Sequence, residues 1–191
     1  MADSLWHIKP GSIHYDEETL TINNIWFDGK DQYIKVDGNA SRKDKSQVIK
    51  ASLKDIDLQY LSNVLYMPDI KLLGIVTAEV EAGQVLHQPI LNAKASAKQF
   101  GLNGQALGDV IAASATYNYE MEQIDLKGTV LNDVMDTTKV VGFVSPARNE
   151  MLLDIDVNNL DLSFIKSYLV SFANDMSGIA KGKLYVGGKL D

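Results

Sequence analysis

The sequence contains no cysteine and only three histidines among its 191 residues. Without cysteine the chain can form neither a disulfide framework nor a thiolate metal site, and it offers no thiol nucleophile. The histidines His7, His14 and His87 share no spacing with one another or with acidic residues, so we expect no metal site from them. The lack of cysteine is compatible with every cellular compartment and identifies none.

Long apolar runs are also missing. No stretch of 18 apolar residues occurs, so the sequence predicts no membrane-spanning helix. The first residues lack the basic segment and apolar run of a secretion signal, and we expect that a targeting sequence lies outside this piece. With 25 acidic against 18 basic residues, the net charge of −7 disfavours a nucleic-acid partner.

Recognisable catalytic motifs are absent as well. The paired carboxylates Asp55 with Asp57 and Asp154 with Asp156 are two residues apart in predicted strands, which is typical of one solvated face. The glycines Gly101, Gly104 and Gly108 fit neither a dinucleotide-binding nor a P-loop pattern, and there is no Gly-x-Ser-x-Gly elbow. We therefore predict no catalytic residue, no cofactor and no enzymatic activity.

What the sequence does contain is an internal repeat. The stretch from Leu53 to Val80 recurs from Val157 to Leu184 at a constant offset of 104, since 161 − 57 and 178 − 74 give the same number. Each copy has an aspartate, three apolar residues at helical spacing and a glycine: Asp57, Leu58, Leu61, Leu65 and Gly74, then Asp161, Leu162, Ile165, Leu169 and Gly178. The pattern predicts a single elongated segment, residues 1–191, made of nearly two copies at about 1–104 and 105–191.

Most of the remaining sequence alternates between apolar and polar residues with the period of a β-strand. We count about ten strands and two short amphipathic helices, at Leu58 to Tyr66 and Leu162 to Phe172, with Asp57 and Asp161 as N-caps. Short turns such as Asp28-Gly29-Lys30-Asp31 favour antiparallel pairing. The predicted class is mostly β, and its apolar side must close as a barrel, pack on a second sheet or stay open as a trough.

Three segments resemble one known family. They are Leu160-Asp161-Leu162 with its following helix, Gly178 and the strand Ala180 to Gly188; Ile56-Asp57-Leu58 to Gly74; and Phe100-Gly101-Leu102-Asn103-Gly104 to Asp109. This pattern is similar to the C-terminal half of the TamB family, the inner-membrane subunits of the translocation and assembly module, which are grouped with the AsmA-like proteins. The resemblance covers most of the chain from about residue 20. The family pattern contains no catalytic residue that could be assigned to a position in this chain.

The resemblance implies a curved, taco-like, mainly antiparallel sheet with an apolar concave face. It also implies a bridge across the periplasm that is anchored in the inner membrane by parts absent from this chain. Such a bridge carries phospholipid to the outer membrane, or assists outer-membrane protein assembly, with a BamA-family barrel protein as partner.

The alternation along the strands identifies the residues that would line such a groove. Those predicted to contact acyl chains are Val76, Ala78, Val80, Leu91, Ala93, Ala95, Ala97, Ile111, Ala113, Ala115, Tyr117, Ile124, Leu126 and Val140. Two other functions remain open: a closed, lipocalin-like barrel that binds one small apolar ligand, and a structural periplasmic spacer with a dry, packed interior.

Overall fold

The computed structural model describes residues 5–60, 71–102, 104–131, 136–161 and 178–189. They form one curved, unclosed sheet in which every strand pair is antiparallel. Its twelve strands are β1 His7–Lys9, β2 Ser12–Tyr15, β3 Thr19–Asp28, β4 Tyr33–Ser41, β5 Val48–Asp57, β6 Leu72–Gly83, β7 Ile90–Leu102, β8 Gln105–Asn118, β9 Gln123–Leu131, β10 Thr137–Ser145, β11 Glu150–Asp161 and β12 Ile179–Lys189.

The strand order follows the chain. From β3 to β12 each strand pairs with the next one in sequence, while the short β1 and β2 both pair with β3. The predicted mostly β class and antiparallel pairing are therefore confirmed, and β1 and β2 are strands that the alternation did not indicate. Because the sheet does not close, the lipocalin-like barrel that the sequence left open is wrong.

Of the first predicted helix, the structure describes residues 58–60, which are helical. The Asp57 carboxylate accepts a hydrogen bond of 2.9 Å from the backbone N–H of Gln59, which would otherwise lack a partner in the first turn. The rest of this helix, up to Tyr66, and the whole second helix from Leu162 to Phe172 lie outside the described residues, as does the side chain of Asp161.

Bulges interrupt the ladders at residues with left-handed backbone. Asn24, Asp55 and Gln99 have φ of 50°, 52° and 52°, and each sits where the register shifts by one residue. A side chain of the neighbouring strand takes up the backbone N–H that each bulge frees: Asp37 for Asn24 at 2.9 Å, Thr77 for Asp55 at 3.2 Å, and Asp109 for Gln99 at 2.7 Å. The freed N–H groups therefore all have hydrogen-bond partners, and the bulges increase the twist of the strands and bend them.

Several structural features recur at the 104-residue offset. Strand β4 starts at residue 33 and ends at 41, and β10 starts at 137 and ends at 145, so both ends differ by 104. The bulge with left-handed Asp55 in β5 has a counterpart in β11 with left-handed Asn159, and 159 − 55 is again 104. The bulge at Asn24 between β3 and β4, by contrast, has no counterpart in the β9–β10 ladder, which runs without a register shift.

A buried serine stabilises the turn after β4, and a second buried serine stabilises the turn after β10. Ser41 and Ser145 are 8% and 0% exposed and are also 104 residues apart. The hydroxyl of Ser41 accepts hydrogen bonds from the N–H groups of Lys43 and Asp44. The hydroxyl of Ser145 donates to the carbonyl of Glu122 at 2.7 Å and accepts from the N–H of Arg148 at 3.2 Å. Ser145 therefore joins the β8–β9 turn to the β10–β11 turn.

We expect Ser145→Ala to lower the free energy of unfolding by about 1–3 kcal/mol, because it removes both hydrogen bonds of a fully buried hydroxyl, each of which contributes about 0.5–1.5 kcal/mol. Urea denaturation followed by circular dichroism measures the change. The control is Ser114→Ala on an exposed strand position, which should stay within about 0.5 kcal/mol. Equal effects of the two substitutions would show that the Ser145 hydroxyl does not stabilise the paired turns.

A small core lies next to the first helical turn. Ile56, Leu58, Val76 and Ala97 are buried together, and Trp6, Ile34 and Phe100 pack against them. The other strands carry few fully buried side chains. This cluster is therefore the main buried core among the described residues, and most other apolar side chains of the sheet are only half-buried.

Candidate functional site

The strand register collects apolar residues on one side of the sheet. Residues that are directly opposite in an antiparallel ladder point to the same side. One such row crosses seven strands, from β6 to β12: Ala78, Ala95, Ala113, Gly128, Val140, Ile155 and Leu184. We call the side that carries this row side A, and the opposite side, side B.

Apolar residues also predominate on side A in the neighbouring rows and strands. Its further members in β3 to β12 include Leu20, Ile22, Ile25, Phe27, Ile34, Val36, Ile49, Ala51, Leu53, Ile56, Val110, Val130, Val144, Met151, Leu153, Val157 and Val186. Thr138, opposite Val130, is a polar member and is buried. The row that contains Ala78 and Leu184 has no charged residue from one strand to the next.

The structure brings all the predicted lining residues to side A except Ile111. A bulge in β8 between Val110 and Ala112 inserts one extra residue, so Val110 takes the place on side A opposite Ala97 and Val130. Ile111 is half-exposed at the bulge. Counting back from Ala113 in steps of two residues cannot reveal this bulge. A bulge becomes visible only in the pairing with the neighbouring strands.

The middle of side A is lined by small side chains. Strands β7 and β8 place Ala93 opposite Ala115 and Ala95 opposite Ala113, and Gly128 of β9 follows Ala113. Larger residues stand on both flanks, such as Leu53 in β5 and Leu153 in β11. The small side chains leave more open space above the central strands than the flanking leucines leave above theirs.

Apolar residues are better shielded on side A than on side B. Leu153 and Val186 on side A are half-buried, whereas Leu152 and Tyr185 on side B are 50% and 66% exposed. All substantial contacts between described strands join ladder neighbours. Leu58 of the first helical turn and Trp6 pack on side A beside Ile56, Val76 and Ala97.

Side B carries many charged residues together with exposed apolar residues such as Leu152 and Tyr185. The ammonium of Lys50 lies 2.9 Å from the Glu81 carboxylate across the β5–β6 ladder. The hydrogen bond and the opposite charge raise the pKa of Lys50 and lower the pKa of Glu81. The predicted carboxylate faces agree with this arrangement, since Asp154 and Asp156 lie in register with Tyr185 and Lys183 on side B.

Two acidic residues cap turns on the rim of the sheet. The Asp16 carboxylate accepts bonds from the N–H groups of Glu18 and Thr19, and the Glu18 bond is the main cause of its lowered pKa. Asp44 accepts from the hydroxyl and N–H of Ser46, which lower its pKa in the same way. These bonds fix loop geometry, and the Arg42 to Lys45 run is an exposed hairpin tip, as the sequence predicts.

An open groove of about 560 Å³ crosses side B above the central strands. Lys94, Lys127 and Lys139 stand along it beside Glu79 and the exposed Ile111. Lys94 lies in register with Glu79, and Lys139 with Asp156, so these two lysines have acidic ladder neighbours. The groove therefore combines charged side chains of both signs with a largely apolar lining.

Metal-binding clusters of histidine, aspartate and glutamate do not occur among the described residues. In the same part of the chain, no helix has both the length and the apolar character needed to cross a bilayer. Comparison with models of protein families, with curated proteins and with solved structures found no match to this chain.

Proposed function

We propose that this chain binds the acyl chains of phospholipids along side A, as a segment of a bridge that carries lipid between the inner and outer membranes. The observation that supports this proposal most directly is the register. It aligns apolar residues strand after strand from Ala78 to Leu184, and no second layer of described strands covers them. A large contiguous apolar surface on one side of a sheet is typical of a binding site.

An acyl chain matches side A in chemistry. Each methylene transferred from water to an apolar surface contributes about 0.8 kcal/mol, so a chain laid along several rows is held without any polar contact. The aligned rows offer equivalent positions along the sheet, and a lipid can pass from one strand to the next without breaking hydrogen bonds. The small residues Ala95, Ala113 and Gly128 leave room for it.

The resemblance to the TamB family supports the cellular setting of the proposal. It implies a periplasmic location, within a protein anchored in the inner membrane by parts outside this chain, with a BamA-family barrel protein as its outer-membrane partner. Assistance to outer-membrane protein assembly uses the same chemistry, because the apolar face of a membrane β-strand also seeks an apolar surface.

Photocrosslinking tests the proposal on the purified protein. We expect a benzophenone amino acid at Ala113, on side A, to label co-purified phospholipid, and the same group at the adjacent Ser114, on side B, to leave it unlabelled. The two positions are adjacent in one strand and face opposite sides of the sheet, and circular dichroism verifies that both variants remain folded. Extraction of the untreated protein followed by mass spectrometry identifies the lipid.

A structural spacer predicts a different outcome. If neither position labels lipid and extraction yields none, the sheet is a spacer and the lipid proposal fails. Equal labelling at Ala113 and Ser114 contradicts it as well, because non-specific adsorption does not distinguish the two sides.

A further inference from the structure

The groove on side B, above strands β6 to β10, has the features of a second binding site. Each of these strands is paired along both of its edges, so the groove lies in the middle of the sheet. Its volume of about 560 Å³ falls within the range of about 300–1,000 Å³ that is usual for small-molecule pockets. The function proposed for side A does not use this groove.

Small side chains form the floor of the groove, and two exposed apolar side chains flank it. The floor includes Ser96, Ala112 and Ser114, which lie on side B of β7 and β8. The bulge in β8 presents Ile111 beside them with 52% exposure, and Val141 of β10 is 50% exposed. The groove therefore offers an apolar contact surface that water covers in the free protein.

Three lysines stand around this surface: Lys94 on β7, Lys127 on β9 and Lys139 on β10. None of the three belongs to an ion pair among the described residues. Asp156 lies in register with Lys139, but it also lies in register with Lys183 on its other side, so its charge is shared. The three ammonium groups can therefore take up an anion without breaking an ion pair between described residues.

The carboxylates of β6 beside the groove have other partners. Glu79, the acidic residue of the groove lining, accepts a hydrogen bond of 2.6 Å from the hydroxyl of Ser52. Glu81 forms an ion pair with Lys50, which is the main cause of its lowered pKa. Three lysines and one glutamate give the lining a charge of +2, in a chain whose net charge is −7.

Hydroxyl groups add hydrogen-bond donors between the lysines. Ser114 lies between Lys94 and Lys127 in the ladders, and Thr129 lies opposite Lys139. Two strand spacings of about 4.8 Å place the backbones of Lys94 and Lys127 about 10 Å apart, a gap that two flexible lysine stems can bridge around one anion. An oxyanion above Ser114 would then meet an ammonium group on either side and a hydroxyl below.

The first copy of the repeat lacks this combination of residues. At the offset of 104, Asn23 corresponds to Lys127 and Asp37 corresponds to Val141. Asp37 accepts a hydrogen bond from the N–H of the bulge at Asn24, and the β9–β10 ladder has no such bulge. The strand accepts a carboxylate at this position, so the sheet does not require the exposed valine beside the lysines of the second copy.

We propose that the groove binds a phosphate monoester with a compact apolar body. A phosphate monoester carries about −1.5 to −2 charges at pH 7 and has three acceptor oxygens, which match the +2 lining and the donors around Ser114. Lysine binds phosphate as a point charge, so the three ammonium groups need no fixed geometry. The apolar body lies against Ile111 and Val141, and the exposed face of the groove admits the ligand directly from water.

Calorimetry with three probes is the first test: 1-naphthyl phosphate, inorganic phosphate and 1-naphthol. We expect 1-naphthyl phosphate to bind at least about tenfold more tightly than either of the others, because it alone uses the lysines and the apolar residues together. Its affinity should fall as salt is added, since charges in an open groove are screened. Affinity for inorganic phosphate or 1-naphthol equal to that for 1-naphthyl phosphate overturns the proposal.

Lysine variants locate the binding site. Lys94→Gln should weaken 1-naphthyl phosphate about threefold to fivefold, the upper range for an exposed ion pair, and Lys94→Gln with Lys127→Gln about tenfold or more. Lys98→Gln is the matched control, because it removes the same charge from side B of the same strand about 13 Å away, outside the groove lining. Equal effects of Lys94→Gln and Lys98→Gln would mean that only the overall charge matters, and the site would be wrong.

Acetylation of lysines followed by mass spectrometry maps the bound probe directly. We expect 1-naphthyl phosphate to protect Lys94, Lys127 and Lys139 and to leave Lys98 unprotected. Ser114→Asp places a carboxylate between two of these lysines and should abolish this protection, while lipid labelling on side A continues, so the two proposals fail separately. Circular dichroism verifies that the variant is folded. Protection that persists in folded Ser114→Asp contradicts the proposal.

Discussion

Gly142→Ala is expected to destabilise the sheet by on the order of 3 kcal/mol. A Cβ at this position would lie 2.0 Å from the carbonyl oxygen of Leu152 and 2.8 Å from the Cα of Leu153. Both atoms belong to the backbone of β11, which is fixed between β10 and β12 and cannot move aside like a flexible side chain. Relief of the clash therefore requires the β10–β11 ladder to separate locally.

Gly128→Ala is the matched control, because Gly128 is also a glycine on side A, in the neighbouring strand, but its added Cβ meets nothing closer than 4.0 Å. We expect it to change the unfolding free energy by less than about 0.5 kcal/mol. Guanidinium denaturation midpoints of the two variants give the comparison. Comparable losses for both would mean that glycine is needed for backbone freedom across side A, and that the close approach at Gly142 is not the cause.

The same close approach occurs in the first copy. A Cβ on Gly38 would lie 2.3 Å from the carbonyl oxygen of Val48, and the φ of Gly38 is 135°, which side chains rarely adopt. Gly38 and Gly142 are 104 residues apart. The sequence could identify them as a repeated pair of glycines on a strand, but only the register shows that the facing backbone is the reason.

The sequence predicted most of the fold because the two-residue period survives along almost every strand. The period placed Ala113, Ala115 and Tyr117 on one side of β8, and the ladders place them together on side A. It failed at Ile111, because a bulge adds a residue without changing the apolar pattern. Left-handed residues such as Gln99 carry no composition signal, since glutamine is not a residue that favours positive φ.

The alternation of apolar and polar residues does not determine whether the sheet closes into a barrel. A barrel and an open sheet both need one apolar side and short hairpins, and the difference lies in strand tilt, stagger and the two edge strands. Here the edges differ: β1 and β2 are three and four residues long, and β12 is eleven. Strands that differ so much in length cannot pair along their whole edge, which agrees with a sheet that stays open.

The candidate site was predicted as a set of residues but not as a surface. Alternation groups residues within one strand, and only cross-strand register joins Ala78 to Ala95 and Ala113 in one row. The small residues of β7 and β8 are dispersed in the sequence and meet only through these ladders. Their concentration at the centre of side A is therefore the feature that the structure adds.

Ala113→Asp is expected to lower lipid labelling on side A at least about tenfold. The position lies between Ala95 and Gly128 in the row of small residues, so the new carboxylate would stand on a surface with no described cation or donor beside it on side A. Covering an unpaired charge with an acyl chain costs several kcal/mol, and each 1.4 kcal/mol corresponds to a tenfold loss of affinity. The photocrosslinker is placed at Val140, which follows Gly128 in the same row.

Ser114→Asp is the control for this experiment, because it adds the same charge one residue away on side B, between Lys94 and Lys127. There the carboxylate stays in water next to two ammonium groups, so labelling from Val140 should be unchanged. The comparison separates a local block of side A from a general effect of added negative charge on a chain that already carries −7. If Ala113→Asp labels as well as the unmodified chain while remaining folded, acyl chains do not cross the central strands on side A.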